Sequence, residues 1–211
     1  MSSPSVSAAK EFAAKASPEA ACSSVKLSAR DRIFAAAREL FYRQGIRAVG
    51  VESIAQEAGA TKMSLYRAFP SKDELVAECL KQSERDFFVW WDETVAPHAK
   101  NPEAAVLALF KGMSAKAGTC EKRGCVIGNA SVEITDEDHP GRAVVEAYSR
   151  EKRRRLRELC VAMNARNPEE LADGLMLLMD GGYFSRLSLG PKGPTASLSK
   201  AAQALMRAYT A

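Results

Sequence analysis

Gly59-Ala60-Thr61-Lys62-Met63-Ser64-Leu65-Tyr66-Arg67-Ala68-Phe69-Pro70-Ser71-Lys72-Asp73-Glu74-Leu75 is the stretch that decides the fold of this 211-residue chain. Gly59 stops one helical pattern, Thr61 is a capping residue for the next, and Pro70 ends that one. Ser71 with Glu74 is a capping box opening a long amphipathic stretch through Leu75, Val76, Cys79, Leu80 and Phe87 towards Pro97. Upstream, a short helix fits Val51 to Ala58, leaving only Gly59 and Ala60 before Thr61. Before that, Ser28 with Asp31 starts a helix in which Ile33, Ala36, Ala37, Leu40 and Phe41 recur at helical spacing until Gly45. Three short helices with a tight connection between the second and third are the geometry of a helix-turn-helix, whose third helix can enter a DNA major groove. Ile33, Leu40, Phe41, Ile54, Ala55, Ala58, Leu65 and Phe69 supply the inward faces, with small Ala55 where two helices must approach closely.

Lys62, Met63, Ser64 and Arg67 then offer two cations, an apolar tip and a hydroxyl on the exposed side of the third helix, groups suited to base edges and phosphates. The charge distribution points the same way. The chain has 30 Lys+Arg and 26 Asp+Glu, a net charge of +4. Between Ser28 and Lys72 there are eight cations and four anions, so the entire surplus lies in about a fifth of the chain. Such asymmetry suits an anionic partner, although periodicity and charge alone fit a plain three-helix bundle equally well.

In this stretch the sequence resembles the TetR family of transcriptional regulators, whose signature here is roughly A-G-V-x-x-x-x-L-Y-x-H-F-x-S-K-x-x-L. The resemblance covers residues 28 to about 80, with no gap between Gly45 and Leu75, and the Ala36-Arg38-Leu40-Phe41-Gly45 spacing fits as well. It implies that Lys62, Met63 and Ser64 lie at the groove-facing start of the recognition helix, that Tyr66 contacts a phosphate, and that Lys72 holds another at a helix N-terminus; Thr61, as the cap, and Arg67, as an exposed cation, complete the candidate DNA contacts. Val49 and Gly50 stand where many members have Thr or Ser, and Ala68 stands where His is common, which removes potential backbone contacts.

Beyond Pro97 helical stretches alternate with breakers, at about Pro102 to Gly118, Cys125 to Ile134, Gly141 to Asn164, Pro168 to Leu189 and Thr195 to Tyr209. The expected fold is all-α: a helix-turn-helix DNA-binding domain over residues 27–74, joined by a long helix to a helical bundle over 75–211, behind a mobile tail of residues 1–26. The resemblance implies that this bundle dimerises and holds a small-molecule inducer. Arg123-Gly124-Cys125, Asn129-Ala130, Glu133, Asp136 to Arg142 and Met179-Asp180-Gly181-Gly182 are similar to a subgroup of such regulators. Asn129 and Glu133, four apart on an apolar helix, either face a pocket or satisfy core backbone groups. Candidate ligand contacts are Trp90, Trp91, Phe110, Met113, Ile127, Asn129, Met176, Met179 and Tyr183, since a site between helices is mostly apolar with few polar groups; each also reads as core. Leu171, Leu175, Leu178, Met179 and Leu187, then Leu198, Ala201, Ala202, Leu205 and Met206, form stripes that face either their own domain or, as the resemblance implies, the last two helices of a second copy. A homodimer sets two recognition helices about one DNA turn apart, as a palindromic operator requires.

Composition excludes other classes. At 46% hydrophobic residues the chain is globular, and no run of roughly 20 apolar residues marks a membrane span. Five irregularly spaced cysteines (Cys22, Cys79, Cys120, Cys125, Cys160) read as a reducing compartment, and residues 1–26 contain no signal-peptide core, so a cytoplasmic location is expected. No metal or cofactor is expected: His98 and His139 are isolated, and Cys120 and Cys125 lack a second pair, leaving them only a conceivable redox role. The basic run Lys152 to Arg155 with Arg157 lies beside Glu146, Glu151 and Glu158 and reads as a solvated face. No phosphate loop or nucleophile elbow suggests an enzyme. The expectation is a dimeric repressor released by an inducer; the alternative is a ligand-binding or interaction module with weakened DNA binding.

Overall fold

In the computed structural model, which describes residues 27–119, 124–190 and 192–210, the described residues form nine α-helices and no strand. These are α1 (Ala29–Gln44), α2 (Val51–Glu57), α3 (Lys62–Ala68), α4 (Lys72–Val95), α5 (Pro102–Thr119), α6 (Val126–Glu133), α7 (Pro140–Ala162), α8 (Pro168–Leu189) and α9 (Leu198–Thr210). The tail expected over 1–26, with Cys22, and the residues Cys120 and Arg123 lie outside the described residues.

Local sequence explains where the helices start. Ser28 and Asp31 complete a full capping box on α1, and the Thr61, Ser71 and Asn167 side chains accept backbone N–H bonds at the starts of α3, α4 and α8. The last helix begins three residues later than its periodicity predicts. Pro194–Ser197 form a 3-10 turn because the Thr195 hydroxyl is drawn inward to donate to the Gly182 carbonyl at 2.9 Å, and α9 starts at Leu198. Gly182 lets Leu198 approach closely there: a Cβ would come within 2.8 Å of the leucine's terminal methyl, which would have to shift.

Two apolar clusters fill the described residues; the first runs past residue 74, and the second lies wholly beyond it. The first joins Ile33, Phe41, Ile54, Leu65 and Phe69 of the three short helices to Leu75, Val76 and Leu80 of α4, and to Ile127, Ala130, Ile134, Val144 and Tyr148 of α6 and α7. Full burial of such side chains contributes about 1.5–3 kcal/mol each. This core therefore welds the first turns of α4 and the inner side of α6 to the N-terminal helices. The second cluster packs Trp91, Leu109, Phe110, Leu156, Leu171, Leu175, Met179, Leu198, Ala202 and Met206 from α4, α5, α7, α8 and α9. Much of the stripe on α8 and α9 thus faces its own domain; Leu177, Phe184, Leu187 and Leu189 are the large apolar residues that α8 leaves exposed.

The basic run on α7 is a ladder of ion pairs, and one member is not solvated at all. Arg153 reaches Asp173 at 2.5 Å on α8, Arg157 pairs with Glu169, and Arg155 bonds Glu151 at 2.6 Å and pairs with Asp92 of α4. Lys152, only 4% exposed, is buried, where the charge density of the run predicts an open face. Hydrogen bonds from Arg154, then Arg155, hold the Glu151 carboxyl at about 2, below its ordinary 4.5. The unfolded chain protonates that carboxyl first, so its contribution to stability is complete above 4.5 and lost as pH falls towards 2. Replacing Glu151 by Gln should flatten the melting temperature profile between those values, and a slope equal to that of the unsubstituted protein would refute this.

Candidate nucleic-acid interface and ligand cavity

Gly59, with φ of +56°, turns the chain between α2 and α3 so that the Ala60 N–H returns to the Ala55 carbonyl at 2.9 Å. That tight turn sets α3 across α2. Leu65 and Phe69, both at 0% exposure, pin α3 to the core, and its other side is left open. There, Met63 is 73% and Tyr66 44% exposed, beside exposed Thr61, Lys62 and Arg67 and half-buried Ser64. The Thr61 hydroxyl accepts the Ser64 N–H at 3.1 Å and lies 2.9 Å from the Ser64 hydroxyl. The Lys62 ammonium donates to Glu52 of α2 at 2.5 Å; that contact raises the lysine's pKa and lowers the carboxyl's. Lys72, in the first turn of α4, donates to the Ile46 carbonyl at 2.7 Å. All seven residues singled out for DNA therefore cluster on or beside α3.

Three of the other N-terminal cations are committed elsewhere, while Arg43 and Arg47 stay exposed. Arg30 pairs with Glu78 at 2.5 Å and Arg38 with Asp86 at 2.6 Å, clasping α1 to α4, while the Arg32 guanidinium donates to the Ala58 carbonyl at 3.0 Å and closes α2. Gly50 caps α2 without a side-chain bond and Val49 is buried, so the two departures from the expected Thr or Ser spend one residue on the core.

A cavity of about 730 Å³ opens between α6, α7 and α8. Of the nine ligand candidates, Ile127, Asn129 and Tyr183 line it. Trp91, Phe110, Met113 and Met179 are core residues of the second cluster, against which Trp90 and Met176 pack. The polar floor comes from residues that the reading of the sequence did not single out for a ligand. Lys152 donates to Asp180 at 2.5 Å and sits 5.2 Å from the centroid of the Tyr148 ring. Burial pushes the Tyr148 hydroxyl well above its ordinary pKa. A signal for Lys152 was present: it falls in register with Val144, Tyr148, Leu156 and Cys160 on the buried stripe of α7.

Glu133 and Asn129 also line a second, smaller cavity of about 360 Å³ between α1, α4 and α6. The Glu133 carboxylate accepts the Arg47 backbone N–H at 3.1 Å, so the end of α6 is fastened to the loop between α1 and α2. Nearby, the His139 Nδ1 accepts the Gly141 N–H at 2.9 Å, and its Nε2 lies 3.4 Å from Asp73 of α4. A helix that walls the larger cavity is thereby bonded directly to the loop between the first two N-terminal helices.

Comparison with known proteins follows the same outline. The sequence profile described as bacterial regulatory proteins, tetR family, matches residues 33–79. The chain is 34% identical to the HTH-type transcriptional repressor SCO4008 of Streptomyces coelicolor, over 43% of its own length and 52% of that protein, so the match spans about half of that relative. A crystal structure of a candidate TetR transcriptional regulator of Streptomyces avermitilis is 30% identical, covering 87% of this chain and 98% of that one, with a TM-score of 0.74. A second structure, of SCO4454, a TetR-family regulator from Streptomyces coelicolor, shares the fold with a TM-score of 0.77 at 24% identity, over 87% and 96% of the two chains.

Proposed function

The chain belongs to the TetR family of DNA-binding transcriptional regulators, and from that premise we propose that it is a dimeric repressor, acting in the cytoplasm, that a small molecule releases from a palindromic operator. The observation that carries this reading is the placement of α6. Its residues wall the 730 Å³ cavity, while its last one, Glu133, bonds the Arg47 backbone beside the helix-turn-helix. A ligand that favours a displaced α6 shifts the N-terminal helices with it, and two recognition helices so shifted no longer fit successive major grooves.

In this reading Lys62, Met63, Ser64 and Arg67 meet base edges and nearby phosphates, Thr61 holds the start of α3, and Tyr66 and Lys72 anchor the backbone. The last two helices supply the face for a second copy: α8 brings the exposed Leu177, Phe184, Leu187 and Leu189, whereas the large apolar residues of α9 pack against its own domain. Selection of the full-length chain against random duplex DNA should enrich an inverted repeat with half-sites about one helical turn apart. Enrichment of no sequence would overturn the repressor and leave a ligand-binding module, a reading that the uncapped Gly50 and buried Val49 favour.

Glu52 gives a sharper expectation. Its carboxylate sits at the same face and neutralises Lys62. The Glu52→Gln variant should bind non-specific duplex several-fold more tightly and with a steeper salt dependence, at unchanged melting temperature, since both partners are well exposed. Fluorescence anisotropy against salt concentration checks this; weaker binding would show that Glu52 aligns Lys62 rather than restraining it.

A further inference from the structure

The cavity between α6, α7 and α8 holds an unequal ion pair. Lys152 is 4% exposed, whereas the Asp180 side chain, its partner at 2.5 Å, is 52% exposed. The asymmetry decides which partner can be exchanged. The lysine's stem is packed at the middle of α7, on the buried stripe between Tyr148 and Leu156, and its ammonium without a partner would be a buried, unpaired charge. The aspartate stands at the mouth of the cavity and reaches solvent by a side-chain rotation. The site therefore carries a fixed cation with a replaceable counterion.

We propose that the effector of this protein is an apolar carboxylic acid, or another apolar monoanion, whose charged group displaces Asp180 from Lys152. This rests on the reading of the cavity as the inducer site. The remaining walls fit such a molecule: Ile127, Val132 and Val145 are apolar, as are Phe184 and Leu187 at the rim that the cavity shares with the face for a second copy, and a volume of about 730 Å³ lies well within the range that holds drug-sized ligands. A cationic effector has no comparable place, because, of the two carboxylates lining the cavity, Asp180 is held by the buried ammonium and Glu133 by the Arg47 N–H. Exchange also carries the signal outwards. Asp180 belongs to α8 and Lys152 to α7, so a ligand that takes over the lysine frees α8 from α7 on the wall facing α6.

The test uses three probes of one shape and different charge, 2-naphthoate, 2-naphthalenemethanol and 2-naphthylmethylamine, titrated calorimetrically into the full-length chain without DNA. Naphthoate should bind at least tenfold more tightly than the alcohol, and the amine more weakly than either. In Lys152→Met the preference for the acid should vanish while the alcohol binds as before. In Asp180→Asn, where nothing competes for the ammonium, naphthoate should bind several-fold more tightly than to the unsubstituted chain and should raise the melting temperature by more. A purely structural ion pair would give no such gain. Acid and alcohol of equal affinity, an undiminished preference in Lys152→Met, or no saturable binding of any probe at millimolar concentration would each overturn the proposal. None of these results touches the repressor reading, which the DNA selection tests separately.

Discussion

Phe69→Ala should lower the stability of the N-terminal helices by about 3–5 kcal/mol and remove sequence-specific DNA binding at physiological temperature. Phe69 is the C-terminal cap of α3 and is fully buried. Its ring stacks on Phe34 of α1 at 6.4 Å between centroids, and the Arg30 guanidinium lies 4.6 Å over it while pairing with Glu78 of α4. One side chain thus joins α1, α3 and α4. Seven residues cannot hold a helix in water without such contacts, because nucleation is costly and isolated helices of this length are unstable. Removing the ring takes away one of only two side chains, Leu65 and Phe69, that anchor the recognition helix at zero exposure. Since the same core continues into α6 and α7, the loss should appear as a lower melting temperature of the chain, not as an isolated fraying of α3. Phe69→Leu should recover most of it, because volume is largely conserved. An Ala variant that melts with the unsubstituted protein and still retards its selected operator would refute the assignment.

That coupling was only partly legible in the sequence. The starts of α1, α3 and α4 could be read directly, since Ser28, Thr61 and Ser71 are short-range devices whose chemistry acts within one helical turn. Long-range bonds left no such mark: nothing near Glu133 announces that its carboxylate will meet the Arg47 N–H 86 positions away. The charged segments misled for a physical reason. Arg30, Arg32 and Arg38 belong to the surplus that points to an anionic partner, yet they close helices and clasp α1 to α4. Lys152 was hidden by four neighbouring charged residues, although the four-residue register from Val144 to Cys160 marks it as inward. For the cavity, apolar composition could not separate lining from core, because Ile127 and Tyr183 differ from Phe110 and Met113 only in where the helices diverge.

Lys72→Ala should weaken binding uniformly to every duplex, selected or random, and reduce the salt dependence of the proposed dimer by about two in the logarithmic slope. Each phosphate neutralised contributes about 0.9 to that slope, and a symmetric dimer carries the lysine twice. In the free protein the ammonium is held by the Ile46 carbonyl at 2.7 Å, 6.0 Å from the centroid of the Phe41 ring, in the first turn of α4. This bond aims the side chain along the edge of the helix-turn-helix before DNA arrives, so little rotamer freedom remains to be lost on binding. The helix N-terminus adds partial positive charge at the same place. Loss of the bond to Ile46 should cost no more than about 1 kcal/mol in stability, which a thermal melt separates from the effect on DNA. Tyr66→Phe removes a donor but no charge. It should therefore lower affinity roughly tenfold or more while leaving the slope unchanged, because a hydrogen bond to a charged oxygen contributes about 1.5–3 kcal/mol without releasing a counterion. Lys72→Arg should keep the slope. If Lys72→Ala instead altered which sequences are bound and left the slope intact, the lysine would be reading bases, and the docking of α3 and α4 on the duplex would have to be rotated accordingly.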